Sequence, residues 1–87
     1  MKHRIEDLEI VADGDNYIVT RHYNIQTGKK KGEPAETAVG YYSNLGDAVK
    51  KMAEALANRE PTLDEWLKKY KETTRSFERA VERAMEA

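Results

Sequence analysis

Thr62-Leu-Asp-Glu-Trp-Leu-Lys-Lys-Tyr-Lys-Glu-Thr-Thr-Arg-Ser-Phe-Glu-Arg-Ala-Val-Glu-Arg-Ala-Met-Glu-Ala87 is the stretch whose spacing decides the fold. Leu63, Trp66, Leu67, Tyr70, Phe77, Val81 and Met85 recur three or four residues apart, with Ala80 and Ala84 beside them. That is the period of an amphipathic helix. Its start is marked by Thr62-Leu-Asp-Glu65, a capping box: the Thr62 hydroxyl takes the Glu65 N–H while the Glu65 carboxylate reaches back. Lys68/Glu72 and Arg75, Arg79 and Arg83 with Glu78 and Glu82 put charge on the solvent side. Each such pair adds only a few tenths of a kcal/mol. A helix of about 24 residues is roughly 36 Å long, more than a small sheet covers. The expectation is a rod whose apolar stripe outruns its own domain.

The material available to cover that stripe is limited. The chain has 87 residues, 39% hydrophobic and 36% charged, which fits one domain with a modest core. No apolar run approaches the roughly 18 residues of a spanning helix. Met1-Lys-His-Arg-Ile-Glu-Asp7 has no apolar block of the secretory kind. The absence of cysteine excludes disulfides, zinc–thiolate sites and cysteine nucleophiles, and fits a cytoplasmic setting. The net charge is −1, and acids and bases balance along the chain, with six of each in residues 1–34 and six of each in 62–87. No block carries the field of a nucleic-acid binder or a DNA mimic.

Upstream, Leu8-Glu-Ile-Val-Ala12 alternates as a short strand, and Asp13-Gly-Asp-Asn16 reads as a turn. Tyr17 to Ile25 is rich in β-branched and aromatic residues and is the best strand in the chain. Gln26 to Pro34 is a loop, and a third strand runs from about Glu36 to Tyr42. There Thr37, Val39 and Tyr41 would oppose Ala38, Gly40 and Tyr42, with Gly40 marking a bulge or a close approach. Ser43 or Asn44 then caps a helix lined by Leu45, Ala48, Val49, Met52 and Leu56, which Pro61 stops. The predicted fold is therefore α+β, a three-stranded antiparallel meander followed by two helices (βββαα). Residues 1–61 supply the meander and first helix, and residues 62–87 supply a long helix packed on the same single domain.

Candidate chemistry is sparse. Gly28-Lys-Lys-Lys-Gly32 offers Lys29, Lys30 and Lys31, with Arg21 nearby in sequence, as a basic tip for phosphates. It lacks the spacing of a P-loop and lies between strands, where a solvated hairpin tip is the simpler reading. The carboxylates of Asp13-Gly-Asp15 lack the other ligands of a calcium loop. His3 and His22 are the only histidines, and nothing in the spacing supplies either with further metal ligands. No metal, cofactor or catalytic residue is predicted, and the chain reads as a non-enzyme. Trp66, Leu67 and Tyr70 read as core of the second helix. Beyond Thr73-Thr74 the stripe thins to Phe77, Val81 and Met85, which with Arg75, Arg79 and Arg83 make the predicted partner-binding face.

Asn16-Tyr-Ile-Val19, Gly28-Lys-Lys-Lys-Gly-Glu33 and Val39-Gly-Tyr-Tyr-Ser-Asn-Leu45, followed by a short helix, resemble a group of small uncharacterised bacteriophage and prophage proteins. Members share a strand, a lysine–glycine loop and a Gly-Tyr-Tyr-Ser-x-Leu junction into a helix. The likeness covers roughly residues 16–58, and the helix from Leu63 onward departs from the group's pattern. What the resemblance implies is a phage setting inside a bacterial host cell and no activity. Small phage accessory proteins of this sort often bind a host protein, including defence nucleases such as CRISPR effectors.

Three functional expectations follow. The leading one is a non-enzymatic phage-type protein that binds a host protein and inhibits antiviral defence, as an anti-CRISPR does. The second is a nucleic-acid or nucleotide-binding module using Lys29, Lys30, Lys31 and Arg21. The third is a structural protein that assembles as a homodimer or larger oligomer through the last helix. None involves a membrane.

Overall fold

The computed structural model describes residues 2–86. Its elements are β1 (Lys2–Ile5), β2 (Leu8–Asp13), β3 (Asn16–Asn24), β4 (Pro34–Tyr42), α1 (Leu45–Ala57) and α2 (Leu63–Glu86). The strands lie in the order β1-β2-β3-β4, each antiparallel to the next. The class is α+β with a meander and then two helices, but the meander has four strands where the sequence predicts three.

The additional strand is Lys-His-Arg-Ile, too short and too charged to announce itself. His3 and Ile5 turn inward while Lys2 and Arg4 face solvent. Its two-residue turn, Glu6-Asp7, carries no glycine, yet Glu6 adopts φ 55°, a region that most side chains avoid. Tertiary contacts hold it there. Arg59, just past α1, grips both Asp7 carboxylate oxygens, at 2.6 and 3.0 Å, and Lys69 of α2 pairs with Glu6. The His22 N–H also donates to the Asp7 carbonyl at 2.7 Å.

One face of the sheet is covered by both helices. Leu8, Ile10 and Val19 meet Ala48, Met52 and Leu56 of α1 and Phe77 of α2 in a single cluster. Full burial of each larger side chain contributes about 1.5–3 kcal/mol. α1 lies over β2, β3 and β4, whereas α2 packs beside α1 and reaches the sheet only at β1. Asn44 caps α1: its side-chain oxygen accepts the Asp47 N–H at 2.8 Å, and its amide donates back to the Asp47 carboxylate. At α2 the Thr62 hydroxyl accepts the Glu65 N–H at 3.2 Å, the first half of the capping box.

In β4, Val19 pairs with Gly40 but Thr20 pairs with Ala38, so Val39 is an extra residue and the strand bulges. The strict alternation expected from the sequence therefore breaks. Tyr41, Ala38 and Glu36 share the outer face with Ile18, Thr20 and His22, their cross-strand partners. Gly40 is also the site of a close approach. A Cβ there would fall 2.6–2.9 Å from the Tyr42 ring, which lies directly over the glycine.

α2 is one unbroken helix of 24 residues. Only Thr73 and Phe77 of it are buried, so the rod rests on its middle and overhangs at both ends. This corrects two expectations. Phe77 does not belong to an exposed surplus: it joins the core cluster, and His3 on the additional strand packs against it at a tilt with ring centroids 4.4 Å apart. Trp66, Leu67 and Tyr70 do not enter the core: Trp66 and Tyr70 are half-buried and Leu67 is exposed. Leu63 is 81% exposed and Leu67 46%.

Candidate functional site

A groove lies between the start of α1 and the second half of α2. Leu45, Gly46 and Val49 form one wall, Thr74 and Val81 the other, and Phe77 contributes to its lining from the core. The groove is widely open to solvent, has a volume of about 520 Å³, and its lining is mainly apolar. Glu78 and Glu82 stand at its margin. Sequence and local structure explain it directly. The Asn44 cap fixes where α1 begins, and the small Gly46 leaves space that a larger residue would fill. α2 then runs past with residues three and four apart presenting one row.

The structure splits the predicted partner face. Phe77 is buried and Val81 half-buried in the groove wall, while Met85 is 81% exposed near the end of the rod. Arg75, Arg79 and Arg83 are exposed but form a separate row. With about 100° between successive helical residues, Arg75 and Arg79 lie nearly opposite Phe77 on α2. Arg83 faces the β1 side, where its charge acts on His3. The His3 ring is held below the ordinary histidine range, first by burial and then by Arg83. It also makes a 3.0 Å hydrogen bond with the Ser76 hydroxyl.

The other end of α2 carries features that sequence reading assigned to the core. Trp66 stacks on Tyr70 at 5.2 Å and nearly parallel. Its indole N–H donates to the Asn58 side-chain oxygen at 2.8 Å, fastening α2 to the end of α1. Leu63 is left bare beside Pro61 and Trp66.

The lysine loop is an ordered protrusion. Gly32 N–H donates to the Ile25 carbonyl at 2.7 Å and Ile25 N–H to Glu33 at 3.0 Å, closing its base. Gly28 and Gly32 adopt φ of 84° and 89°, which glycine alone adopts cheaply. Lys29, Lys30 and Lys31 are all exposed. Arg21 is turned toward Tyr23, its guanidinium carbon 5.6 Å from the ring centre.

Sequence spacing gave His22 no metal-ligating partner, but folding supplies two. Its Nε2 lies 3.0 Å from a Glu9 carboxylate oxygen, and its Nδ1 lies 3.7 Å from Glu36. These residues come from three strands, and the register that brings Glu36 opposite His22 depends on the bulge. A strict alternation hides the trio.

No protein-family model matches the chain, and comparison with curated proteins and with solved structures returns no match. No helix among the described residues is long and apolar enough to cross a membrane. The groove and the side-chain clusters therefore carry the functional argument by themselves.

Proposed function

We propose that this chain is a non-enzymatic binding protein that receives an apolar segment of a host protein in the groove between α1 and α2. The observation that carries the reading is the groove itself: an open, mainly apolar channel built on two capped helices and lined by Leu45, Val49, Phe77 and Val81. Its apolar lining supplies affinity through burial, and Glu78 and Glu82 favour a segment with basic residues beside its apolar ones. An amphipathic helix meets that description. Met85 extends the same stripe beyond the groove and adds contact area.

The phage-protein resemblance of residues 16–58 supplies the setting: a bacterial host cell, and a host target in antiviral defence such as a CRISPR effector. In that setting the groove would block by occupancy rather than chemistry.

Val81→Asp places a charge in the groove wall without touching the buried cluster. It should abolish capture of the partner from a susceptible bacterial lysate while leaving the circular dichroism spectrum unchanged. Capture equal to wild type would defeat the reading. A self-association that disappears in the same variant, read by light scattering of the purified protein, would reassign the groove to a second copy of the chain.

A further inference from the structure

We infer that Glu9, His22 and Glu36 form a binding site for a first-row divalent metal ion, of which zinc is the best-suited example, on the sheet face away from the helices. One donor atom from each residue lies within 4.8 Å of the other two. β2, β3 and β4 each supply one residue. His22 and Glu36 are directly cross-strand. Glu9 pairs with Thr20, one inward–outward repeat from His22, so the three side chains rise together from a rigid ladder.

The donor chemistry selects the ion. One imidazole nitrogen and two carboxylates suit zinc and its first-row neighbours, whereas magnesium and calcium prefer an all-oxygen shell. The separation of His22 Nε2 and the Glu9 oxygen, 3.0 Å, is the spacing of two adjacent ligands on one ion at about 2.1 Å from each. Glu36 is the most exposed of the three, its side chain 66% accessible. It now faces the other ring nitrogen, Nδ1, and joins Glu9 at the ion through a rotamer change of this exposed side chain.

The cation beside the site, Arg4, is engaged elsewhere. Arg4 is the cross-strand neighbour of Glu9 on β1, but its Nε donates to the Glu6 carbonyl at 2.9 Å. It forms no ion pair with Glu9 among the described residues. A depression of about 200 Å³ opens beside His22, between Arg4, Asn24 and Pro34. It leaves space for the water molecules that complete the shell. The short contact between Glu9 and Nε2 needs a proton between the two atoms. The ion takes that proton's place on Nε2, and in the neutral ring the proton moves to Nδ1, which faces Glu36.

The test uses the tag-free protein at neutral pH. Titration with zinc chloride is followed by calorimetry, and cobalt(II) serves as a paramagnetic probe in NMR spectra of the wild type. One zinc per chain is expected, with cobalt broadening centred on residues 9, 22 and 36. His22→Gln and Glu9→Gln should each weaken zinc binding on the order of tenfold or more, as loss of a group that holds a metal does. His3→Gln, the histidine control, should bind as wild type. Wild-type affinity no greater than that of His22→Gln, or broadening centred on His3, would overturn the site. The cobalt map needs no variant, so a variant that failed to fold would not spare the proposal. It is also independent of the groove, which lies on the opposite side of the sheet.

Discussion

Phe77 shows how one residue changes meaning when a single strand is added. In the sequence it belongs to a thinning stripe beyond Thr73-Thr74. In the fold it is 3% exposed and seated against His3. Phe77→Ala should cost about 3–5 kcal/mol in urea unfolding, a large share of the roughly 5–15 kcal/mol that holds a domain together. A loss below about 1 kcal/mol would place the ring outside the core. His3 adds a pH signature. Its folded-state value is lowered by burial and by Arg83, so the unfolded chain takes up the proton first, near pH 6.5. The stability this histidine contributes is complete above that pH and is lost as pH falls toward the folded value. Urea titrations of wild type and His3→Gln between about pH 7.5 and about pH 5.5 should show a shallower decline in the variant. Asp7 acts in a lower window. Arg59 holds its carboxyl below the ordinary range, first by hydrogen bonding and then by charge, so that stabilisation disappears only as pH falls through the folded value. The pair is partly solvated, and Asp7→Asn should cost about 1 kcal/mol or less.

At the scale of elements, legibility followed the strength of local signals. Both helices were readable because Asn44 and Thr62 are caps and Pro61 is a stop, and these act within a few residues. The strand Tyr17 to Ile25 was readable from its composition. β1 was not, because its turn needs Glu6 at positive φ and is held by Arg59 on Asp7 and Lys69 on Glu6, 52 and 63 positions away. The outer-face trio was hidden for a similar reason: the extra residue Val39 resets which way Glu36 points. Gly40 did announce a bulge or a close approach, and the structure contains both. The lysine loop was placed correctly as an exposed tip, although its closed base came only with the fold. If the groove carries function, replacing Lys29, Lys30 and Lys31 together by Ala should leave partner capture unchanged. Capture lost in that variant, with binding that weakens steeply as salt rises, would favour a nucleic-acid partner instead.

The whole molecule is a flat body, 44 × 37 × 22 Å in extent, with two unlike faces. The helical face presents the apolar groove and the overhanging ends of α2, whereas the open sheet face presents Glu9, His22 and Glu36. The sequence foretold a continuous rod longer than its support. The support falls on Thr73 and Phe77, mid-helix, so the surplus lies at both ends rather than one. The groove is lined by residues of both α1 and α2, a tertiary outcome that neither helix encodes alone. Hydrogen–deuterium exchange of the free protein and of its captured complex tests the central claim most directly. The account predicts new protection confined to residues 45–49 and 74–85. Protection confined to the lysine loop or to the outer sheet face, with the groove unchanged, would contradict it.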